Sequence, residues 1–156
     1  MSTRILMVCL GNICRSPVAE GILRNRVREK GLNVITDSAG TSGYHIGEKP
    51  DSRMLRIAKS NDIDISDLRA RQFKKDDFDK FDRIYVMDES NYENVVALAT
   101  KSEQKEKVKL ILNESFPGSD KEVPDPYFGG DTGFQHVIDL LSQAIDKITD
   151  DLYERR

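Results

Sequence analysis

The sequence predicts a single α/β domain, an open four-stranded parallel sheet with helices on both faces in a Rossmann-like or flavodoxin-like strand order. Three observations carry this expectation. Short, continuously apolar, β-rich runs alternate with stretches whose apolar residues recur at helical spacing. The first run passes through a glycine-containing loop into a Ser-Pro helix start, as a strand feeding a crossover helix does. No internal repeat, low-complexity segment or Pro/Gly/Ser linker divides the 156 residues, so residues 1–156 are read as one domain.

Ile5-Leu6-Met7-Val8 is read as the first, central strand, apolar throughout because both of its faces are covered. Ser16-Pro17 then opens a helix, with Pro at the first helical position, that runs to about Lys30. Its apolar side is Val18, Ala19, Ile22, Leu23 and Val27, and Gly31 can end it in a left-handed conformation. A strand is expected at 33–37, and a helix at 51–61 through Met54, Leu55 and Ala58. A buried strand at 83–87, a helix at 90–99 and a fourth strand at 108–112 follow. Phe134, Val137, Ile138, Leu141, Ile145, Ile148 and Leu152 form a long helical stripe that should pack on the sheet. In such sheets ligands bind beyond the strand C-termini, where the loop after the first strand lies.

Composition narrows the functional classes. The 24 basic and 27 acidic residues nearly balance, for a net charge of -3, so nothing global favours nucleic acid or an anionic membrane and any anion site must be local. The first apolar run is too short for a secretory segment, and no stretch approaches about 20 apolar residues. A soluble, cytoplasmic, monomeric protein is expected, with no nucleic-acid or membrane partner. The two cysteines, Cys9 and Cys14, cannot build a disulfide framework, and with His45 and His136 they show no zinc-ligand spacing. No metal site is expected.

The chemistry-bearing segment is Cys9-Leu10-Gly11-Asn12-Ile13-Cys14-Arg15-Ser16. A cysteine followed after five residues by arginine is weak as a bare pattern; its place between a buried strand and a helix start gives it weight. There, successive backbone N–H groups can converge on one tetrahedral anion at the positive end of the helix. Gly11 permits close approach or positive φ, Asn12 tolerates the left-handed region, and Arg15 offers a planar fork for two phosphate oxygens. Cys9 would sit beneath the anion, where the helix terminus and Arg15 favour thiolate over thiol. The Ser16 hydroxyl can bond that sulfur or cap the helix; sequence leaves both open. Neither G-x-G-x-x-G nor G-K-[ST] is present, which disfavours a nucleotide loop.

Five separated segments then fall in one order: residues 8–17, Asp37-Ser38-Ala39-Gly40-Thr41, Ala70-Arg71-Gln72, Met87-Asp88-Glu89-Ser90-Asn91, and Val123-Pro124-Asp125-Pro126-Tyr127-Phe128-Gly129-Gly130. With these the sequence resembles the low-molecular-weight protein tyrosine phosphatases over nearly its whole length. The resemblance implies phosphomonoester hydrolysis through a cysteinyl-phosphate, without a cofactor. Cys9, Arg15 and Asp125 would be catalytic, and residues 10–16 would bind phosphate. Asp125, between Pro124 and Pro126, matches the family's general acid and must be protonated in the first step and ionised in the second.

By the same resemblance Leu10, Ile13, Tyr44, Tyr127 and Phe128 wall the substrate pocket. Relatives acting on phosphoarginine carry Thr where this chain has Ile13, which points to phosphotyrosine. Asn12 and Ser38 match a hydrogen-bond network supporting the loop. Where the family often has His, this chain has Leu68, so a smaller network is expected. Cys14 matches the partner of a reversible disulfide with Cys9. The implied partners are phosphotyrosine-containing proteins or small aryl phosphates, with inorganic phosphate or a similar oxyanion in the site.

Two rivals remain. A thiol-dependent arsenate reductase uses a similar loop but passes oxidation to further cysteines, and none follows Cys14. A silent phosphotyrosine-binding module would not need Cys9, Arg15 and Asp125 together. Residues 74–77 and 101–107 mix charges and read as solvated faces or loops. His45, next to Tyr44, is placed to touch substrate, although a lone loop histidine is more often incidental, and Asp88 reads as a helix cap.

Overall fold

A computed structural model describes residues 2–127 and 129–156. Four strands, β1 (Thr3–Cys9), β2 (Val34–Gly40), β3 (Arg83–Val86) and β4 (Val108–Leu110), form one parallel sheet in the order β2-β1-β3-β4. This is the expected open sheet, with the strand order reversing beside β1. The helices are α1 (Arg15–Lys30), α2 (Ser52–Ser60), α3 (Asp77–Lys80), α4 (Glu89–Val96), α5 (Ser102–Glu106) and α6 (Asp131–Arg155).

Alternate residues of β1 enter different cores. Ile5 and Met7 join α1, α2 and α6 in one apolar cluster, whereas Leu6 and Val8 pack with Phe73, Phe78, Phe81 and Val95 on the opposite face. Two covered faces are the physical reason the strand is apolar without alternation. On α6, Phe134, Val137, Ile138, Leu141, Ile145 and Ile148 are buried as the spacing predicts, and Leu152 is partly buried. Gly31 ends α1 at φ 63°, with its N–H bonded to the Arg28 carbonyl and that of Leu32 to Val27.

Several boundaries move. Helix α1 begins at Arg15 with Cys14 in the capping position, so Pro17 stands third rather than first; it is tolerated because no N–H of the first turn has an intrahelical partner. Strand β2 extends to Gly40 because its end pairs in register with Cys9 of β1. Helix 90–99 is Glu89–Val96, strand 83–87 stops at Val86, and strand 108–112 stops at Leu110, where residues 111–113 turn into a 3-10 helix. Of the mixed-charge segments, 101–107 is the expected solvated face, with residues 102–106 forming α5 and none of them buried, whereas in 74–77 Asp77 is buried, accepting from Arg71 and from the Lys74 N–H. A fixed guanidinium is what lets that carboxylate leave water.

Candidate active site

The loop between β1 and α1 lies at the C-terminal edge of the sheet, where β1 and α1 hold its two ends. Asn12 takes the left-handed conformation at φ 57°, whereas Gly11 is not among the positive-φ residues. Gly11 serves close approach instead: a Cβ there would stand 3.0 Å from the His45 ring. Gly40 at the end of β2 is under a stronger constraint, since a Cβ would meet the Leu10 carbonyl at 2.8 Å and the Gly11 backbone at 3.0 Å. The loop therefore rests on bare backbone.

Cys9 Sγ, nearly buried at the base of the loop, receives the Asn12 N–H at 3.3 Å and lies 3.0 Å from Ser16 Oγ. Of the two roles open to Ser16, the contact with sulfur is the one found; α1 has no side-chain cap and no acidic residue in its first turn. Its positive end is thus left for an anion in the loop. Cys14 is different. Burial first, then the carboxylates of Asp51 and Asp125 and the Cys9 sulfur, push its thiol well up, so it is held neutral.

Arg15 is buried at 3% exposure, and its Nη1 donates to Asp88 Oδ2 at 2.8 Å and to the Val123 carbonyl at 3.0 Å. Asp88 caps α4 through its other oxygen, which accepts from Asn91 N–H at 2.8 Å. One carboxylate thus fixes a helix start and the guanidinium together. Asp125 Oδ2 stands 3.8 Å from Arg15 Nη2, and its Oδ1 accepts from the Tyr127 N–H in a local turn. Half of the Asp125 side chain is exposed.

Above the loop is a pocket of about 280 Å³ lined by Cys9, Leu10, Gly11, Ile13, Cys14, Arg15, Ser42, Tyr44, His45, Asp125 and Tyr127. Leu10, Tyr44 and Tyr127 are exposed at its rim, and Ile13 is partly buried. Arg53, paired with Asp51, lies over the Tyr127 ring at 5.4 Å. Phe128 lies outside the described residues. A larger depression of about 800 Å³, between α2 and residues 62–66, contains neither cysteine nor loop and is away from this chemistry.

The motif Ala70-Arg71-Gln72 is pinned to the end of β2, with the Gly40 N–H on the Arg71 carbonyl and the Phe73 N–H on the Gly40 carbonyl. This aims the Arg71 N–H at Asn12 Oδ1, 3.0 Å away. The Asn12 amide nitrogen then donates to Ser16 Oγ at 2.8 Å and to Ser38 Oγ at 3.0 Å. Leu68 is partly buried against the apolar cluster, and beyond Ser38 the network continues to α1, where Ser38 Oγ donates to Glu20 Oε1 at 2.7 Å.

A family model described as low molecular weight phosphotyrosine protein phosphatase matches residues 4–156. The chain belongs to this family. A Synechocystis phosphatase relative is 48% identical over 143 residues, 90% of either chain. The human low-molecular-weight phosphotyrosine protein phosphatase is 44% identical over 138 residues, 85% of either chain. The crystal structure of a protein tyrosine phosphatase from Entamoeba histolytica superposes with a TM-score of 0.89 at 39% identity, covering 98% of both chains.

Of the residues that sequence singled out, the fold brings Cys9, Leu10, Gly11, Ile13, Cys14, Arg15, Tyr44, Asp125 and Tyr127 to one phosphatase-family pocket. Asn12, Ser16 and Ser38 lie behind it. Sequence reasoning missed Ser42 as a lining residue, left His45 between substrate contact and an incidental place, and did not see Asp88 on Arg15 or Glu20 on Ser38. A glutamate amid Ala19, Ile22 and Leu23, one turn after Ser16, was the available signal for Glu20. Among the described residues no His, Cys, Asp or Glu cluster could hold a metal ion, and no helix is long and apolar enough to cross a membrane.

Proposed function

We propose that this chain, as a single phosphatase domain over 1–156, hydrolyses phosphotyrosine and related aryl phosphomonoesters through a cysteinyl-phosphate on Cys9. The observation that carries the reading is the arrangement of Cys9, Arg15 and Asp125 on one pocket, with Arg15 3.8 Å from Asp125 and the start of α1 open to an anion.

In the first step the Cys9 thiolate attacks phosphorus, a P–S bond forms and the P–O bond to the phenol breaks. The Asp125 carboxyl gives its proton to the departing phenolate. Backbone N–H groups of residues 10–16 and the Arg15 fork hold the equatorial oxygens, stabilising charge that grows as bonds loosen. In the second step water attacks phosphorus, the Asp125 carboxylate takes its proton, the P–S bond breaks, and inorganic phosphate and the Cys9 thiolate are released. Asp88 contributes by holding Arg15 from behind.

Leu10, Ile13, Tyr44, Tyr127 and Phe128 are the walls that receive the aromatic ring, and Ile13 favours an aryl group over a guanidinium. A Vibrio vulnificus neighbour, 28% identical with a TM-score of 0.84, was solved with benzylphosphonate, a ligand of the same shape. Phosphotyrosine-containing proteins and small aryl phosphates are the substrates under this reading, with a monomer acting in a reducing, cytoplasmic compartment that keeps the nucleophile from oxidation. Peroxide would convert Cys9 to a sulfenic acid. The neutral Cys14 thiol would condense with it, losing water, and an external thiol would reduce the disulfide. An arsenate reductase is disfavoured because no further cysteine follows Cys14.

Hydrolysis of p-nitrophenyl phosphate with EDTA present tests the reading. Turnover by the wild type, and none by Cys9→Ser at equal folded concentration, is expected; equal rates would overturn it.

A further inference from the structure

Glu20 takes no part in the chemistry above, yet its position on α1 is costly. It is buried at 5% exposure, and Arg24, one turn along the same helix, is committed to Asp67 and to the Asp64 carbonyl. Among the described residues no basic group lies within ion-pair distance of the Glu20 carboxyl. A buried carboxyl without a cation is unfavourable unless hydrogen bonds hold it. Its hydrogen bond is the 2.7 Å one from Ser38 Oγ.

The donors and acceptors behind the loop can be assigned in one way. Asn12 Oδ1 is taken by the Arg71 N–H, so the amide presents its two N–H groups to Ser16 and Ser38. Each hydroxyl therefore accepts from Asn12 and must place its own proton elsewhere. Ser38 places it on Glu20. Ser16 has two choices, the Cys9 sulfur at 3.0 Å or the Ala39 carbonyl at 3.4 Å. A proton on the sulfur side supports a thiolate; on the carbonyl side it does not.

We propose that Glu20 is a positioning residue for the phosphate loop: by accepting the Ser38 proton it leaves the Ser38 oxygen to anchor the Asn12 amide, which the Arg71 N–H orients, and so keeps Asn12 on Ser16 and the Ser16 hydroxyl on the Cys9 sulfur. Without that acceptor the Ser38 proton is no longer held away from the Asn12 N–H, the amide loses one of its two hydroxyl anchors, and the Asn12 contact that sets the Ser16 hydroxyl loosens. The inference rests on Cys9 being the nucleophile.

The test compares wild type with Glu20→Leu, which removes the acceptor and the unpaired charge, and Glu20→Gln, which keeps an acceptor oxygen. Alkylation of Cys9 by iodoacetamide at neutral pH is read by mass spectrometry beside p-nitrophenyl phosphate kinetics. Loss of one buried hydrogen bond predicts that Glu20→Leu lowers both the alkylation rate and kcat by about fivefold, with KM nearly unchanged, and that Glu20→Gln restores most of both. The thermal midpoint of Glu20→Leu should hold or rise, because a buried carboxyl without a cation is removed, whereas a purely structural role predicts that the midpoint falls and the alkylation rate does not. Where Glu20→Leu does not fold, the smaller change Ser38→Ala carries the same prediction. Alkylation and kcat at wild-type values in folded Glu20→Leu, or in Ser38→Ala where it stands in, would overturn the inference. No turnover by the wild type would instead count against the phosphatase reading, since alkylation is scored independently of turnover.

Discussion

The mouth of the loop and its back are built on opposite plans. At the mouth, Leu10, Tyr44 and Tyr127 are exposed and Asp125 is half in solvent, held by one local turn bond. At the back, Asn12, Arg15, Ser16, Ser38 and Glu20 are buried, and α1, β2 and the Asp88 cap of α4 supply their partners. The difference follows from the chemistry proposed. Charge on the phosphoryl oxygens must meet donors already in place, whereas the leaving group and the entering water exchange positions around one carboxyl. Rigidity belongs beneath the phosphorus and adaptability above it.

Changes beneath the phosphorus should cost most. Arg15→Lys keeps the charge but loses the fork and its bonds to Asp88 and Val123, and kcat/KM should fall about a thousandfold in steady-state kinetics. Above it, Asp125→Ala should lower kcat on an alkyl-substituted phenyl phosphate by about a hundredfold, with little change in KM. The loss should shrink on p-nitrophenyl phosphate, whose leaving group needs less protonation. A uniform loss across leaving groups would deny Asp125 the role of acid. Asp88→Asn keeps a cap but weakens the hold on Arg15, and about a tenfold loss in phosphate affinity is expected from competitive inhibition.

The smallest effect is on stability at the back. Burial pushes the Glu20 carboxyl up to about 7 from an ordinary 4.5; the Ser38 hydrogen bond opposes this, Asp37 adds to it, Arg24 opposes it and Asp67 adds to it. A folded value above the unfolded one means the contribution is fully present below about pH 4.5 and is lost as pH rises through about 7. Glu20→Gln cannot ionise and lacks this slope. Its unfolding free energy relative to wild type, from urea denaturation, should rise across that window by at most about 3 kcal/mol and then level off. A difference independent of pH would place the Glu20 titration elsewhere.

What could be read in the sequence was what is contiguous in the chain. Strand, loop and helix follow one another from Thr3 to Lys30, so the cradle and its apolar supports were visible as a local pattern. Asp125 was legible only through its flanking prolines and the family resemblance, being 110 positions from Arg15. Asp88 was read as a cap, which it is; its second oxygen turns toward Arg15 only because β3 lies beside β1. The end of the loop network went unread because Leu68 drew attention to a lost donor, while the acceptor stood on the inner face of α1. Tertiary partners of this kind leave only a weak trace, here one carboxylate among buried apolar residues.

The central claim is covalent, and a trapping experiment addresses it most directly. Aryl phosphate is mixed with Asp125→Ala, in which breakdown of the intermediate should slow, quenched in acid within the first turnover and digested for mass spectrometry. The account predicts one phosphoryl group on Cys9, absent from Cys9→Ser and released on longer incubation. Turnover with no phosphoryl group on Cys9 at any quench time, or with the group on another residue, would contradict it.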